Sequence, residues 1–165
     1  ESYGQLERLK LVNACKSQAV YEQYILREYL IYKALELFTD KCFKVRLLKI
    51  DYVDIHDKIA PVTRFGFVIE DQYMMAKRLN GLIVKKEGIR EVSINRQQMV
   101  LVSIFQYMIG NTDWNIPTLH NVRLLRLNAA TEPSPYVIPY DFDYTGMVNA
   151  SYAKPSPILG IESLR

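Results

Sequence analysis

The chain has 165 residues, which suits one domain or two small lobes that share a cleft, and a chain of this length can bury a sizeable core. The composition of 49% hydrophobic and 24% charged residues, with 7 Gly and 7 Pro, excludes the disordered and fibrous classes. The net charge of +3 is too small to imply a nucleic-acid partner, and no apolar run approaches the roughly 18 residues that a membrane span needs.

The two cysteines, Cys15 and Cys42, have no CxxC or Cys/His spacing around them. They therefore argue against a structural zinc site and against a disulfide framework. No signal peptide is visible in the sequence. The chain starts abruptly at Glu1 and ends abruptly in GIESLR, so we expect it to be a fragment of a longer protein.

The chain opens with a strand pattern that is followed by a helix pattern. A short strand is predicted within residues 6–14, and a helix is predicted over residues 17–38 with Ser17 as its N-cap. The apolar residues at three-to-four spacing, which should form the buried face of this helix, are Val20, Tyr24, Leu30, Ala34, Leu37 and Phe38.

A pair of strands comes next. Within residues 42–55, Phe43, Val45 and Leu47 alternate with charged residues, which predicts a half-buried strand. The turn sequence HDKIAP leads into residues 62–71, which have a second strand pattern. The two strands are therefore expected to form an antiparallel hairpin.

The second half of the chain has a more helical pattern. Residues 72–81 predict a short helix that ends at Asn80 and Gly81. The basic run over residues 77–96 is interpreted as a solvated connector, and the alternative is a surface that meets a phosphate-rich partner.

A strong helix pattern follows this connector. Asn95 and Gln98 have the spacing of a capping box at its start, and Gly110 supplies the stop. Apolar residues surround most of this helix, which predicts that it is buried. The change of character near residues 71–81 predicts an N-terminal part over residues 1–75 and a C-terminal part over residues 76–165.

Acidic and amide side chains flank the last two predicted strands, residues 122–127 and 136–139. Asn121 comes directly before the first of these strands, and Asp141 closely follows the second, so a hairpin would bring both to one end. A carboxylate and an amide oxygen suit Mg²⁺ that bridges phosphates. Asp113, in the preceding loop, is a candidate to accept a proton from an attacking hydroxyl.

The sequences GNTDWNIPTLHNVRLL and VIPYDFDYTG resemble the catalytic and metal-binding loops of protein-kinase-like proteins. The likeness is closest to the atypical CotH-type kinases of spore coats and looser to HipA-type kinases. It implies Asp113 as the catalytic residue and Asn121, Asp141 and Asp143 as metal ligands. Since the spacing from Asp113 to Asn121 is three residues longer than in ordinary protein kinases, Asn115 is the alternative amide ligand.

The resemblance extends more weakly into the first half of the chain. The segment LKLV resembles the strand that carries the phosphate-contacting lysine, which implies Lys10 in that role. Glu28 on the following helix would be its ion-pair partner, and Glu22 is the rival for that position. Glu70, in the segment FGFVIED, would lie at the hinge around an adenine.

The resemblance implies an α+β, two-lobed protein-kinase-like fold. Its N-terminal lobe would be small and β-rich with one long helix, and its reduced, mainly helical C-terminal lobe would carry a β-hairpin. The implied activity is phosphoryl transfer from ATP with Mg²⁺ to a protein or small-molecule acceptor, with no nucleic-acid partner. Bacterial cytoplasm and cell envelope are both compatible with it. The chain departs from ordinary kinases in having no H-R-D and no true D-F-G. No glycine-rich loop is visible in it; such a loop either precedes Glu1 or is lacking, as in some atypical kinases.

Two rival interpretations are compatible with the same residues. A degenerate kinase-like fold would act as an interaction module without catalysis, which the missing glycine-rich loop favours and the acidic loops oppose. A metal-dependent hydrolase would combine the carboxylates with His120. It needs further ligands, and His56 is expected in a distant turn.

Overall fold

The computed structural model describes residues 10–14, 16–56, 58–128, 133–155 and 159–162. Within these ranges, no helix has the length and apolar character to cross a membrane. The helices and strands in chain order are β1 (Lys10–Asn13), α1 (Ala19–Phe38), β2 (Val45–Tyr52), β3 (Val62–Ile69), α2 (Gln72–Arg78), β4 (Gly81–Val84), α3 (Arg96–Met108), β5 (Val122–Leu127) and β6 (Tyr136–Pro139). The predicted α+β class is confirmed.

The first sheet is antiparallel with the strand order β1-β3-β2. Strands β2 and β3 pair from Val45 opposite Ile69 to Tyr52 opposite Val62, so the predicted hairpin is confirmed. The predicted first strand is confirmed over Lys10–Asn13, and residues 6–9 of that prediction lie outside the described residues. This sheet places Lys10 directly beside the end of β3.

The helix ends follow local side-chain chemistry in most places. Asn95 accepts a hydrogen bond from the backbone N–H of Gln98 at 3.1 Å, so the predicted cap of α3 is confirmed. Gly110 has φ of 63°, a backbone conformation that glycine adopts without steric cost, and it ends this helix as predicted. The predicted cap of α1 is wrong, because Gln18 rather than Ser17 is the N-cap and its side chain makes no capping bond.

Helix α1 buries only part of the face that its apolar pattern predicts, since Tyr24 is buried as expected. Leu30, Leu37 and Phe38 were expected inside but are exposed, at 55%, 84% and 57%. The buried residues are Tyr24, Ile25, Glu28, Ile31, Tyr32 and Leu35. Apolar residues occur all round this helix, so packing against the sheet selects the face. That face includes the acid Glu28.

The second sheet is antiparallel with the order β4-β5-β6. The hairpin of β5 and β6 has the predicted bounds and is confirmed. Strand β4 was not predicted, and the interpretation of residues 77–96 as a solvated connector is wrong there, because Gly81 pairs with Leu127. Asn80, with φ of 50°, turns the chain from α2 into β4, which confirms the predicted end of α2.

Helix α3 packs against β6 on one side and is open to solvent on the other. Its buried residues are Gln98, Val102, Phe105 and Gln106. Val100, Ile104 and Met108 are 52%, 56% and 63% exposed. The prediction of a helix buried on most sides is therefore wrong. An apolar sequence around the whole helix did not distinguish the packed side from the open one.

The main core contains residues from both predicted parts of the chain. The proposed boundary between residues 75 and 76 falls inside α2, where Met75 and Ala76 are both buried in that core. Phe142 lies in the same core, 4.8 Å from the ring of Tyr32 and 6.2 Å from that of Phe105, measured between centroids. The loop after β6 is thus attached to both long helices.

Gln98 connects three segments through a buried side chain. Its amide nitrogen donates to the carbonyls of Val137 at 3.1 Å and Lys41 at 3.3 Å. Its amide oxygen accepts a hydrogen bond from the hydroxyl of Thr39 at 3.3 Å. The residue therefore links α3 to β6 and to the turn before β2.

We expect Gln98→Ala to lower the free energy of unfolding by about 1–3 kcal/mol, because it leaves buried carbonyls without a donor. The matched control is Gln97→Ala, one position earlier on the exposed side of α3, which should change it by less than about 0.5 kcal/mol. Urea denaturation of both variants measures the difference. Equal effects would contradict the linking role of Gln98.

Candidate functional site

The loop between α3 and β5 is held by its own polar side chains. Asn111, which is buried, donates from its amide nitrogen to Gln106 at 3.0 Å. Its amide oxygen accepts the backbone N–H of Asp113 at 2.9 Å. Asp113 is therefore placed by a buried amide next to the end of α3.

Asp113 and Asn121 are brought together despite the long spacing between them. The Asn121 amide nitrogen donates to the Asp113 carbonyl at 2.8 Å and to its carboxylate at 3.0 Å. Asn115 and His120 form an isolated antiparallel bridge with backbone hydrogen bonds of 3.0 and 2.9 Å. This bridge closes the extra residues into a separate turn, so the added length does not separate Asp113 from Asn121.

The two candidate amide ligands have different environments. The Asn115 side-chain oxygen accepts bonds from the Thr118 backbone at 3.0 Å and from its hydroxyl at 2.8 Å, so it stabilises the turn. Asn121 is 8% exposed and has φ of 50°. Because its nitrogen binds Asp113, its oxygen remains for another partner. The geometry favours Asn121 over Asn115 as the ligand.

Asp141 begins the second acidic loop in a left-handed conformation, with φ of 64°, which Asp tolerates better than most residues. Its backbone N–H donates to the hydroxyl of Tyr32 at 2.8 Å. The next backbone N–H, that of Phe142, points to a Glu28 carboxylate oxygen at 3.4 Å. Two residues of α1 thus position this loop.

Glu28 is 3% exposed, and its pKa is raised from 4.5 to about 8. Burial is the largest cause, and the negative charges of Asp143 and Asp141 raise it further. The N–H of Phe142 and the charge of Lys10 act in the opposite direction. These effects require Glu28 to lie close to the second acidic loop.

Glu22, the alternative to Glu28 as the predicted ion-pair partner of Lys10, contacts strand β3 and not the second acidic loop. One of its carboxylate oxygens accepts the backbone N–H of Phe65 at 2.7 Å, and the other lies 4.0 Å from Arg64. Glu22 therefore supports the outer side of the first sheet, and Glu28 is the helix acid beside Asp141.

Asp143 completes a group of acids that we name the carboxylate cluster. Burial raises its pKa most, and the charges of Asp141 and Asp113 add to this effect. A 3.1 Å hydrogen bond from the Tyr152 hydroxyl lowers it in part. The members of the cluster, whose charges affect one another, are Glu28, Asp113, Asp141 and Asp143.

A large cavity of about 500 Å³ opens beside this cluster. Its volume falls in the range of about 300–1,000 Å³ that is usual for small-molecule sites. Glu28, Asp141 and Asp143 line it together with Tyr24 and Tyr152. Sequence reasoning missed both tyrosines, and the count of 12 Tyr gives no position for them.

A small pocket of about 140 Å³ lies at the end of β3, where Lys10 and Glu70 line it. Lys10 is exposed, and its ammonium lies 5.4 Å from the ring centroid of Tyr140. No carboxylate of the described residues lies within 4.0 Å of this ammonium, so the predicted Lys10–Glu28 pair is not formed as a close ion pair.

Glu70 lines the small pocket, but its carboxylate is engaged in another contact. Arg78 donates to both of its oxygens, from Nε at 2.9 Å and from Nη2 at 2.8 Å. The backbone N–H of Lys44 adds a bond of 3.1 Å. Any contact of Glu70 with a ligand would therefore use its backbone.

The two histidines lie in different places. His120 Nε2 lies 2.8 Å from the Asp113 carboxylate. His56 lies in the turn between β2 and β3, where its backbone N–H binds Asp54 at 3.0 Å, so it does not join the carboxylate cluster. Across the described part of the chain, no three His, Cys, Asp or Glu side chains form a metal-holding group.

Comparisons with protein-family models, with curated proteins and with solved structures each gave no match to this chain. The resemblance to kinase-like proteins therefore stays a prediction that depends on the loops around Asp113 and Asp141. The geometry of those loops supplies the argument for function.

Stability should fall as the pH rises from about 4.5 through about 8, because folded Glu28 keeps a proton that the unfolded chain releases. Glu28→Gln has no such proton and keeps an oxygen for the N–H of Phe142. We expect the free energy of unfolding of this variant to lose the part of the pH dependence that comes from Glu28. Between pH 5.5 and pH 8.5 it should therefore fall less than that of the parent protein.

Urea denaturation at pH 5.5, 7 and 8.5, with EDTA present, measures this effect. Glu22→Gln on the same helix is the control and should keep the dependence of the parent protein. If Glu28→Gln and the parent have the same dependence, Glu28 is not the group responsible.

Proposed function

We propose that this protein is an ATP- and Mg²⁺-dependent phosphotransferase of the atypical kinase type. The observation that supports this proposal best is that Asn121 connects the two acidic loops. Its side-chain amide donates to the Asp113 carboxylate at 3.0 Å, and its backbone carbonyl accepts the backbone N–H of Tyr140, the neighbour of Asp141, at 3.0 Å. One cavity of suitable size adjoins the cluster.

The donor set fits a magnesium ion. Asn121, Asp141 and Asp143 would hold it through an amide oxygen and carboxylates, and Mg²⁺ usually binds through one or two carboxylates plus phosphate oxygens and water. Burial raises the pKa of Asp143 most, and the negative charges of Asp141 and Asp113 add to this effect. A cation would offset both contributions. Bound Mg²⁺ would neutralise charge on the transferring phosphate.

Asp113 is the residue that would take the proton of an acceptor hydroxyl. His120 contacts one oxygen of its carboxylate at 2.8 Å, and Asn121 donates to the other at 3.0 Å. These contacts orient the carboxylate, and its remaining lone pairs can still accept the hydroxyl.

Lys10 and Glu28 would act on the phosphate side of the site. Lys10 lines the small pocket, and its positive charge acts on Glu28, which lines the large cavity, so a phosphate chain bound near both would meet this charge. Glu28 is a positioning residue, because it accepts the N–H of Phe142 between the two metal-binding aspartates. The acceptor class is a protein or a small molecule with a hydroxyl.

A degenerate binding module is the second candidate function, and one observation favours it. With its pKa at about 8, Glu28 is mostly protonated at neutral pH, and it makes no close ion pair with Lys10. An active kinase needs that pair to hold its lysine extended. Ligand binding would have to reorganise Glu28 and Lys10 for turnover.

We expect ATP and Mg²⁺ together, but neither alone, to raise the melting temperature by about 5–10 °C at a ligand concentration near 100 times Kd. Asp141→Ala should abolish this shift, because it removes a metal ligand. Asp113→Asn should keep the shift and lower phosphate transfer from labelled ATP by at least about 100-fold. Lys10→Ala should weaken nucleotide binding.

Asp40→Ala is the control, since the Asp40 side chain is exposed and forms a surface ion pair with its neighbour Lys41 at 2.8 Å. It should leave both binding and transfer unchanged. Equal, mild losses for Asp141→Ala and Asp113→Asn would contradict their separate roles. The absence of any shift at millimolar ligand would favour the binding module.

A further inference from the structure

Two cations share one aromatic ring in the small pocket. The ammonium of Lys10 lies 5.4 Å from the Tyr140 ring centroid, and the guanidinium carbon of Arg123 lies 4.5 Å from it. Both side chains line the pocket with Tyr140. The ring offsets part of their mutual repulsion, because its face attracts cations.

The acids of this pocket do not neutralise these two cations. Glu70 is bound by both Nε and Nη2 of Arg78. Asp71 accepts the backbone N–H of Tyr73 at 2.8 Å as the cap of α2. Among the described residues, no carboxylate lies within 4.0 Å of Lys10 or Arg123. Arg78 offsets the charge of Glu70, and Asp71 keeps its negative charge at the N-cap. Because Lys10 and Arg123 together outweigh Asp71, the pocket has a net positive charge.

Arg123 is held in a fixed orientation. Its Nε donates to the Gln72 side chain at 2.8 Å, and its Nη1 donates to the Val122 carbonyl at 2.9 Å. No described residue accepts a bond from Nη2. A stacked guanidinium with one donor available is preorganised to bind an oxyanion.

The size of the pocket suits a small anionic group. Its volume of about 140 Å³ is below the range of about 300–1,000 Å³ for sites that enclose a whole small molecule. A phosphate group would occupy the pocket, and the rest of a larger ligand would lie outside it.

We infer that Lys10 and Arg123 form an oxyanion site on the ring of Tyr140 that binds a phosphate or pyrophosphate group. The group belongs either to free pyrophosphate or to the phosphate chain of a nucleotide. This inference extends the proposed function, since Lys10 belongs to both sites, but the oxyanion site requires neither metal nor turnover. Arg123, which sequence reasoning did not single out, is its main recognition residue.

Titration calorimetry with pyrophosphate in EDTA tests the site. The parent protein should bind, and Arg123→Met should bind at least about tenfold more weakly, because it loses a charge-assisted hydrogen bond. Arg126→Met is the matched control on the same strand, with an exposed side chain, and it should bind like the parent. Lys10→Met should also bind more weakly.

If Arg123 only stabilises the fold and does not bind the anion, a different result is expected. Arg123→Met would then lower the melting temperature without ligand but leave pyrophosphate affinity unchanged, and that outcome would overturn the inference. Arg123→Lys keeps the charge but loses the planar donor, so an intermediate affinity is expected. If Arg123→Met does not fold, undiminished affinity in both Arg123→Lys and Lys10→Met overturns the site.

Three further measurements show whether the bound phosphate belongs to a nucleotide or to a free anion. They also test the oxyanion site separately from the proposed function. Adenosine in EDTA should not bind at the site. Binding of ATP in EDTA that depends on Arg123 indicates a nucleotide phosphate, whereas binding of pyrophosphate alone indicates a free anion. Asp141→Ala should keep pyrophosphate binding.

The parent protein distinguishes the two proposals. If it binds pyrophosphate but its melting temperature does not rise with ATP and Mg²⁺ together, the proposed function fails and the oxyanion site stands. No pyrophosphate binding by the parent overturns the site.

Discussion

The burial of Phe142 is the constraint on which the arrangement of the site depends. Its ring is fully buried between Tyr32 of α1 and Phe105 of α3. A buried aromatic side chain of this size contributes a few kcal/mol of hydrophobic stabilisation, so the loop around it cannot move without loss of core packing. The flanking residues, Asp141 and Asp143, are therefore fixed next to the helices although they belong to a loop.

This anchoring creates an electrostatic conflict beside the core. Glu28 lies in the buried face of α1, where desolvation and two nearby aspartates oppose its negative charge. A sequence selected for stability alone would place an apolar residue there. Local conflicts of this kind concentrate at functional sites. A proton on Glu28, or a cation beside the acids, would relieve the unfavourable electrostatic interactions around Glu28.

Two pockets of the structure have linings of different charge: Asp141 and Asp143 line the large cavity, and Lys10 and Arg123 line the small pocket. The carboxylate cluster makes the large cavity acidic, whereas Arg123 and Lys10 make the small pocket basic. A phosphate chain with a bound divalent cation is complementary to both pockets, because its oxygens suit the cations and its metal suits the acids. Charge, more than volume, therefore identifies the class of ligand that these pockets would bind.

Local patterns in the sequence determined the strand hairpins and the stop at Asn80, because alternation and turn chemistry act over a few residues. The resemblance of the two acidic loops predicted that Asp113 and Asp141 belong to one site. Only the tertiary structure decided which face of α1 is buried, that β4 pairs with β5, and that Arg123 meets Lys10 on one ring. These features depend on contacts between residues far apart in the chain, and burial against a distant partner outweighs local preference.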